Sequence, residues 1–517
     1  MSKVARAAFI VLMMNLISRL LGFVRDAVIA REFGATGATD AYLVAYTLPY
    51  SLQAILGMAF ATVMVPAVTG YLLREEEDEG WRVVSSMING TTLALGVITL
   101  LGIIFAPQLV KILAPGFDGE TVQLTAYLSR IMFPSIIFMG LGMLITGVLN
   151  AGKQFTMPAF APAFANIIVI LAVVLFGAKY RIQGLAVGTL AGFIGFLFIQ
   201  LPNLKKIRFR FHFILDLRHP AVRKLAMRVL PMSLSIAVNQ ILLALNRFFA
   251  SSLTPGSITA LDFANRLMNL PLGVFVAAVS TAVFPAMAEG VAKKDNEGLA
   301  RTISRGLGAV TVTILPAALS LIVLKEPVVR LLFERGAFDA EATAQTAVAL
   351  LYFSVGLWFL AVNTVLTRAF YALEDLKTPL LYGAVSVLVN IAFSIVLLPL
   401  LGHGGLALAN SLAAGVNMIQ LYWALQHRIK ELQLVPSLLT TVKCLLAALI
   451  MAASMMVLLA GFGSFFGTGK IGLLLEVCLA GGLGTVLYAV LVILLKVEEA
   501  GWFLGRLRRK SAAASLK

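Results

Sequence analysis

GLAVGTLAGFIGFLFIQLP, residues 184–202, runs without a single charged side chain, close to the roughly 20 apolar residues an α-helix needs to cross about 30 Å of hydrocarbon. Its opening returns later in the chain as GLALANSLAAG, residues 405–415. Outward from this pair, further landmarks recur at a period of about 220 residues. LNAGKQFTMP (149–158) returns as FYALEDLKTP (370–379), FAPQLVKILAPGF (105–117) as LKEPVVRLLFERGAF (324–338), and Leu48-Pro49 as Leu270-Pro271. A chain that repeats itself in this way consists of two homologous units, each too apolar to fold in water.

Composition agrees. The 517 residues are 60% hydrophobic and only 13% charged, with a mean hydropathy of +0.94, so no globular core could hide the apolar surface and the chain belongs in a bilayer. Apolar runs bounded by charge, Gly or Pro number about fourteen along the chain, which predicts an all-α polytopic membrane protein. We expect helices 1–6 within residues 1–203, a basic cytoplasmic linker over 204–221, helices 7–12 within 222–427, and helices 13–14 with a basic tail over 428–517. Six spans per repeat give both repeats the same orientation, the parallel arrangement in which two lobes rock around a midplane cavity. The basic start of the chain resembles a signal peptide, but no soluble domain follows, so an uncleaved first helix is expected.

The net charge of +16 would suggest nucleic acid in a soluble protein. Here most Lys and Arg sit in short loops: LKKIRFRFHFILDLRHPAVRK (204–224), AKKDNEGLARTISR (292–305) and the tail RLRRK (506–510) fall on the same side as Lys3 and Arg6. That asymmetry predicts multi-pass insertion in the cytoplasmic (inner) membrane with both termini cytoplasmic. The acidic run REEEDEGW (74–81) reads as a solvated turn. Two cysteines, Cys444 and Cys478, lie in apolar runs and give no disulfide framework. The four histidines form no metal-spaced cluster, and neither a phosphate-cradling loop nor a nucleophile elbow occurs. An ATP-driven pump or an enzyme is not expected; transport would draw on an ion gradient, the membrane potential or product removal.

Charge inside spans carries the functional signal, because an ionised side chain at the bilayer centre costs about 2.5–3.5 kcal/mol on insertion scales. NLISRLLGFVRDAVIARE (15–32) places Asn15, Ser18, Arg19, Gly22 and Asp26 on one helical stripe with Arg25 on its flank. Arg31 is expected to snorkel at the helix end. The eighth span repeats the pattern with Asp262, Arg266, Asn269 and Gly273, with Asn265 beside them. Guanidinium groups match phosphate oxygens in a bidentate fork, so Arg19, Arg25 and Arg266 imply a phosphate or pyrophosphate ligand, with Asp26 and Asp40 holding the arginines in place.

SRLLGFVRDAVIAREFGATGATDAYLVAYTLP (18–49), NRLMNLPLGVF (265–275), LNAGKQFTMPAFAP (149–162) and DLKTP (375–379) together resemble the lipid II flippase family, MurJ or MviN, of the multidrug/oligosaccharidyl-lipid/polysaccharide exporter superfamily. The resemblance covers essentially the whole chain. It implies a transporter with lipid II and membrane lipids as partners, the cell-wall synthesis machinery as a further one, and no catalytic residues. It implies that Arg19, Arg25 and Arg266 line a central cavity and bind the pyrophosphate, and that the last two helices form a groove for the polyprenyl tail. Gln53 stands where relatives often carry Arg, and Asn265 and Asn269 where an acidic pair is common. Carboxylates that bind sodium in some relatives map to the neutral Asn246, Asn390, Ser394 and Asn410, so this metal site is expected to be weak. A polysaccharide-repeat flippase and a cation-coupled multidrug exporter of the same superfamily remain the alternatives, with a lipid-processing glycosyltransferase or a division scaffold further off.

Overall fold

The structure is a computed structural model that describes residues 3–74, 76–216, 218–432, 434–462 and 469–497, with side chains described throughout these except at 3–8, 53, 57, 58, 61, 62, 228, 230–239, 434–437 and 462. Helices dominate: α1 (Lys3–Phe33), α2 (Gly37–Leu73), α3 (Glu77–Ile104), α4 (Ala106–Leu113), α5 (Gly119–Met132), α6 (Ser135–Ala151), α7 (Thr156–Phe198), α8 (Leu201–Leu204) and α9 (Pro220–Ala250) come first. They are followed by α10 (Ser257–Pro271), α11 (Ala277–Ala292), α12 (Asn296–Val323), α13 (Lys325–Phe333), α14 (Ala340–Ala372), α15 (Lys377–Leu401), α16 (His403–Arg428), α17 (Leu434–Phe462) and α18 (Lys470–Leu494). Among the described residues nine helical stretches are long and apolar enough to cross a membrane, with shorter apolar helices at Val63–Leu73 and Gln240–Ala250.

The chain forms two compact units, Met1–Thr259 with Arg335–Asp339, and Ala260–Glu334 with Ala340–Lys517. In the first, α1 packs on α7, and α2 packs on α5, α6 and α9. Phe60, Met64, Trp81, Val84, Leu144 and Val222 form one of its cores. In the second, α14 packs on α12 and α16, and α15 on α16. The terminal pair α17–α18 closes on α12 through Leu315, Met451, Met455 and Tyr488, and the Tyr488 hydroxyl donates to the Val312 carbonyl at 2.9 Å.

Helix α7 is 43 residues long, about 65 Å at 1.5 Å per residue, which is twice what one crossing needs. It is two helices joined at Arg181, whose φ of 49° and ψ of −142° break the spiral. The legs then run antiparallel, with Gly188 against Ala172, Gly192 against Ala165 and Gly195 against Phe164 and Ile168. Small residues at this spacing let two helices approach backbone to backbone where no hydrophobic drive distinguishes protein from lipid. The α15–α16 hairpin turns at Gly402, with φ 55° and ψ −133°. Arg181 stands three residues before Gly184 and Gly402 three before Gly405, so the repeated sequence carries a repeated backbone geometry.

Other turns repeat likewise. Lys153 and Glu374 each adopt φ 59° in the matched LNAGKQFTMP and FYALEDLKTP segments. Phe105 (φ −91°, ψ 12°) and Leu324 (φ −90°, ψ 14°) each end one helix and start a short one. The internal repeat is therefore physical, not only compositional.

Candidate substrate-binding site in the membrane helices

Helix α1 presents its polar residues unevenly. Asn15 and Arg19 are exposed, Ser18 and Gly22 half-buried, and Asp26 buried. Arg25 donates from Nε at 3.0 Å and from Nη2 at 2.9 Å to Asp26 Oδ1, and from Nη1 at 3.0 Å to Asn166 Oδ1. Asn166 Nδ2 donates in turn to the Ser18 carbonyl at 3.3 Å, close beside Gly22. Thus Asp26 and Asn166 grip the guanidinium from two helices, α1 and α7, and fix its plane. A guanidinium bonded in this way from two helices keeps one orientation.

Asn166 is the residue sequence reasoning missed. A lone polar residue in the apolar run FANIIVIL was the only signal, and nothing in its neighbours named Arg25 as its partner.

Asp40 belongs to a different network. It is buried, and its carboxylate accepts from Gly256 N at 2.7 Å, from Thr259 N at 2.8 Å and from Thr259 Oγ1 at 2.6 Å. These are donors at the start of α10, so Asp40 acts as a remote N-terminal cap. Arg247, buried in α9, donates to the Ile258 carbonyl at 3.2 Å in the same turn. Gly256 sits here with φ 94°, and a Cβ on it would run into the Ala35 carbonyl oxygen.

In the second unit Arg266 donates from Nε to Asp262 Oδ2 at 2.7 Å, with side chains 30% and 15% exposed. Asn269 folds back on Asn265, donating to both its carbonyl and its side-chain oxygen at 2.8 Å. Directly after Pro271 the helix widens into a π turn, Leu272–Val276, the usual response to a proline that removes a ladder donor. Gln53 lies in α2 but its side chain is outside the described residues, as is the tail 506–510.

Of the four neutral residues considered for sodium, Asn246 is in the first unit, and Asn390, Ser394 and Asn410 are in the second. Asn390 and Ser394, buried one turn apart on α15, keep their amide atoms and hydroxyl without a protein hydrogen-bond partner. Among the described residues no group of three or more His, Cys, Asp or Glu could hold a metal ion. A cavity of about 340 Å³ opens between α12, α14, α16 and α17, lined by Trp358, Tyr422, Trp423 and Leu438, with Thr311, Gln426 and Thr441 among its polar residues.

The model of the family described as "Lipid II flippase MurJ" matches residues 29–478. The chain belongs to this family. A lipid II flippase of Burkholderia cenocepacia is 32% identical over 82% of this chain and 84% of its own length. A probable lipid II flippase of Rhizobium tropici is 30% identical over 96% and 95%. A solved lipid II flippase MurJ in an inward closed conformation superposes with a TM-score of 0.78 at 26% identity, covering 93% of this chain and 98% of the other. An inward-facing multidrug resistance transporter of the MATE family reaches a TM-score of 0.67 at 16% identity, which is likeness of fold alone. Within the MurJ family this chain is thus a multi-pass transporter of the inner membrane.

Proposed function

We propose that this chain is itself a lipid II flippase, moving the polyprenyl-pyrophosphate precursor from the cytoplasmic to the outer face by alternating access, with both termini cytoplasmic. The observation that carries the reading is the Arg25–Asp26–Asn166 cluster. It presents a rigid guanidinium, the group best shaped for pyrophosphate, where charge is otherwise costly. Arg25 is the pyrophosphate-binding residue with the strongest support; Arg19 and Arg266 are further ones. The apolar cavity bordered by α17 suits an isoprenoid chain, and the neutral oxygens of Asn390, Ser394 and Asn410 offer a cation no charged partner.

The test is rescue of cells depleted of their own lipid II flippase, following lipid II at the outer face. The wild-type chain restores it. Arg19→Ala, Arg25→Ala and Arg266→Ala, at normal membrane levels, do not. Full rescue by all three variants overturns the phosphate-binding role, whereas failure of the wild type, with export of another polyprenyl-pyrophosphate glycan, assigns the chain to the polysaccharide flippases.

A further inference from the structure

Between α8 and α9 the described residues run without regular structure past a single 3₁₀ turn at Lys205–Ile207, and this stretch is strapped to α3. Arg210 Nη1 meets Asp78 Oδ1 at 3.0 Å, and Phe209 lies edge-on to Trp81 with ring centroids 5.3 Å apart. Further on, His212 N donates to Ser85 Oγ at 3.0 Å, and Asn89 Nδ2 donates to the carbonyls of His212 and Ile214 at 3.2 and 2.9 Å. The chain then returns: Asp216 N donates to Ser86 Oγ at 2.8 Å, and His219 Nε2 meets Glu79 Oε1 at 2.7 Å. His219 Nδ1 accepts from Ala221 N at 3.2 Å and so caps α9. The strap thus descends α3 from Asp78 to Asn89 and climbs back, with residues 212–215 as its tip. Of the acidic run read from sequence as a solvated turn, Asp78 and Glu79 meet its two ends.

The level of that tip follows from α3. Its first turn carries Glu77, Asp78 and Glu79, and its last charge is Arg82; residues 83–104 carry none. They span about 33 Å at 1.5 Å per residue, one hydrocarbon thickness. Asn89, six residues past Val83, and with it the tip, therefore stands about 9 Å below the first uncharged turn, within the roughly 5–10 Å to which interfacial apolar side chains reach. Side chains on the strap alternate: His212 and Ile214 turn to α3 and are half-buried, whereas Phe211 and Leu215 are 48% and Phe213 95% exposed. The rings of Phe211 and Phe213 pack edge to face at 5.7 Å. Around them Lys205, Lys206, Arg208, Arg218, Arg223 and Lys224 are exposed, against Asp216 as the one acid in residues 204–224.

We propose that residues 209–216 form an interfacial membrane anchor, in which Phe211, Phe213 and Leu215 enter the headgroup layer of the cytoplasmic leaflet and the surrounding Lys and Arg bind its anionic lipids. Aromatic and aliphatic tips flanked by cations are the composition that partitions to this layer and adds attraction to negative headgroups. The anchor rests on the membrane reading of α3 and is independent of what the protein transports.

The test places an NBD fluorophore on Phe213→Cys in a Cys444→Ala/Cys478→Ala background, reconstituted in phosphatidylcholine vesicles with or without phosphatidylglycerol. Phe213 is 95% exposed and its ring meets only that of Phe211, itself on the strap's outer face, so the substitution leaves the fold alone. The expected result is blue-shifted emission, shielding from iodide, and quenching several-fold stronger by a shallow than by a deep spin-labelled lipid. Phosphatidylglycerol strengthens this, and Lys205→Gln/Lys206→Gln/Arg208→Gln removes the strengthening. Iodide quenching equal to that of free NBD-cysteine overturns the proposal in favour of a solvated loop. Shielding from iodide and from both lipid quenchers overturns it in favour of a protein-covered surface, and indifference to phosphatidylglycerol overturns the anionic-lipid assignment.

Discussion

Replacing Asp40 by Asn changes one atom and opposes the cap on α10. In the native turn the carboxylate accepts three bonds, from Gly256 N at 2.7 Å and from the amide and hydroxyl of Thr259 at 2.8 and 2.6 Å. The Asn carbonyl can still serve both Thr259 donors, which share Oδ1, but its NH₂ then confronts the Gly256 N–H. One charge-assisted bond is lost and a buried donor stranded, a cost of about 1.5–3 kcal/mol. If that cost falls on local opening of the turn, amide exchange across residues 256–262 accelerates roughly ten- to hundredfold, since about 1.4 kcal/mol is tenfold in an opening equilibrium. Hydrogen exchange read by mass spectrometry on the purified protein measures this directly. Asp40→Ala accelerates it further, and Thr259→Val by less, because only the hydroxyl bond goes. In the double variant Asp40→Asn/Thr259→Val the effects fall short of their sum, as partners of one carboxylate must. Exchange in Asp40→Asn indistinguishable from wild type would refute the capping role.

Asn166→Leu keeps the volume but removes the second grip on Arg25, and in the flippase-depletion assay it lowers lipid II accessibility roughly tenfold at normal membrane level, the worth of one hydrogen bond to a charged group; Asn166→Gln restores part of the activity, and full activity in the leucine variant would remove Asn166 from the site. Asp375, in the turn between α14 and α15, feels burial pushing its pKa up, but hydrogen bonds from Thr378 and Lys377 and the charge of Arg428 outweigh it and hold the carboxyl below its usual value. Its stabilisation is accordingly complete above the unfolded value near about 3.9 and fades as pH falls through the lower folded value: the Tm difference between wild type and Asp375→Asn stays constant near neutrality and narrows only in acid, and a gap that widens in acid would contradict the sign. Arg181→Gly relieves a φ of 49° paired with a ψ of −142°, a combination native to glycine, and raises Tm by the equivalent of about 1 kcal/mol; an unchanged or lower Tm would show that the Arg side chain contributes more than the strain costs.

The architecture was legible because membrane spans and repeats are signals of length and spacing. The match of residues 184–192 with 405–415 located two hairpins, and the three-residue offset to Arg181 and Gly402 shows why: the motif encodes a turn and a small-residue face together. Arg25 and Asp26 were legible for a different reason, since charge within an apolar helix is conspicuous. Their geometry was not, because a helix periodicity cannot choose between partners on other helices. Asn166 therefore went unnoticed, and Asp40, assigned by proximity in sequence to the arginines of α1, proved to be bonded to donors more than two hundred residues away at Gly256 and Thr259. The linker over 204–221 read as a basic loop because its contacts to Ser85, Ser86 and Asn89 run through backbone groups, which leave no trace in side-chain pattern.

Charged residues with positive φ flank the α7 hairpin and mark its tip: Lys153 at 59° just before its first leg, Arg208 at 55° beyond its second leg, α8 and the 3₁₀ turn, and Arg181 at 49° at the tip. Each sits in a tight turn, so its charge cannot retreat far along the chain. Sliding the pair along the membrane normal by one helical turn, about 5.4 Å, would draw cations at one end toward hydrocarbon, where each costs about 2.5–3.5 kcal/mol at the centre. The two legs are held at fixed height like a post braced at floor and ceiling, free to lean but not to ride up or down.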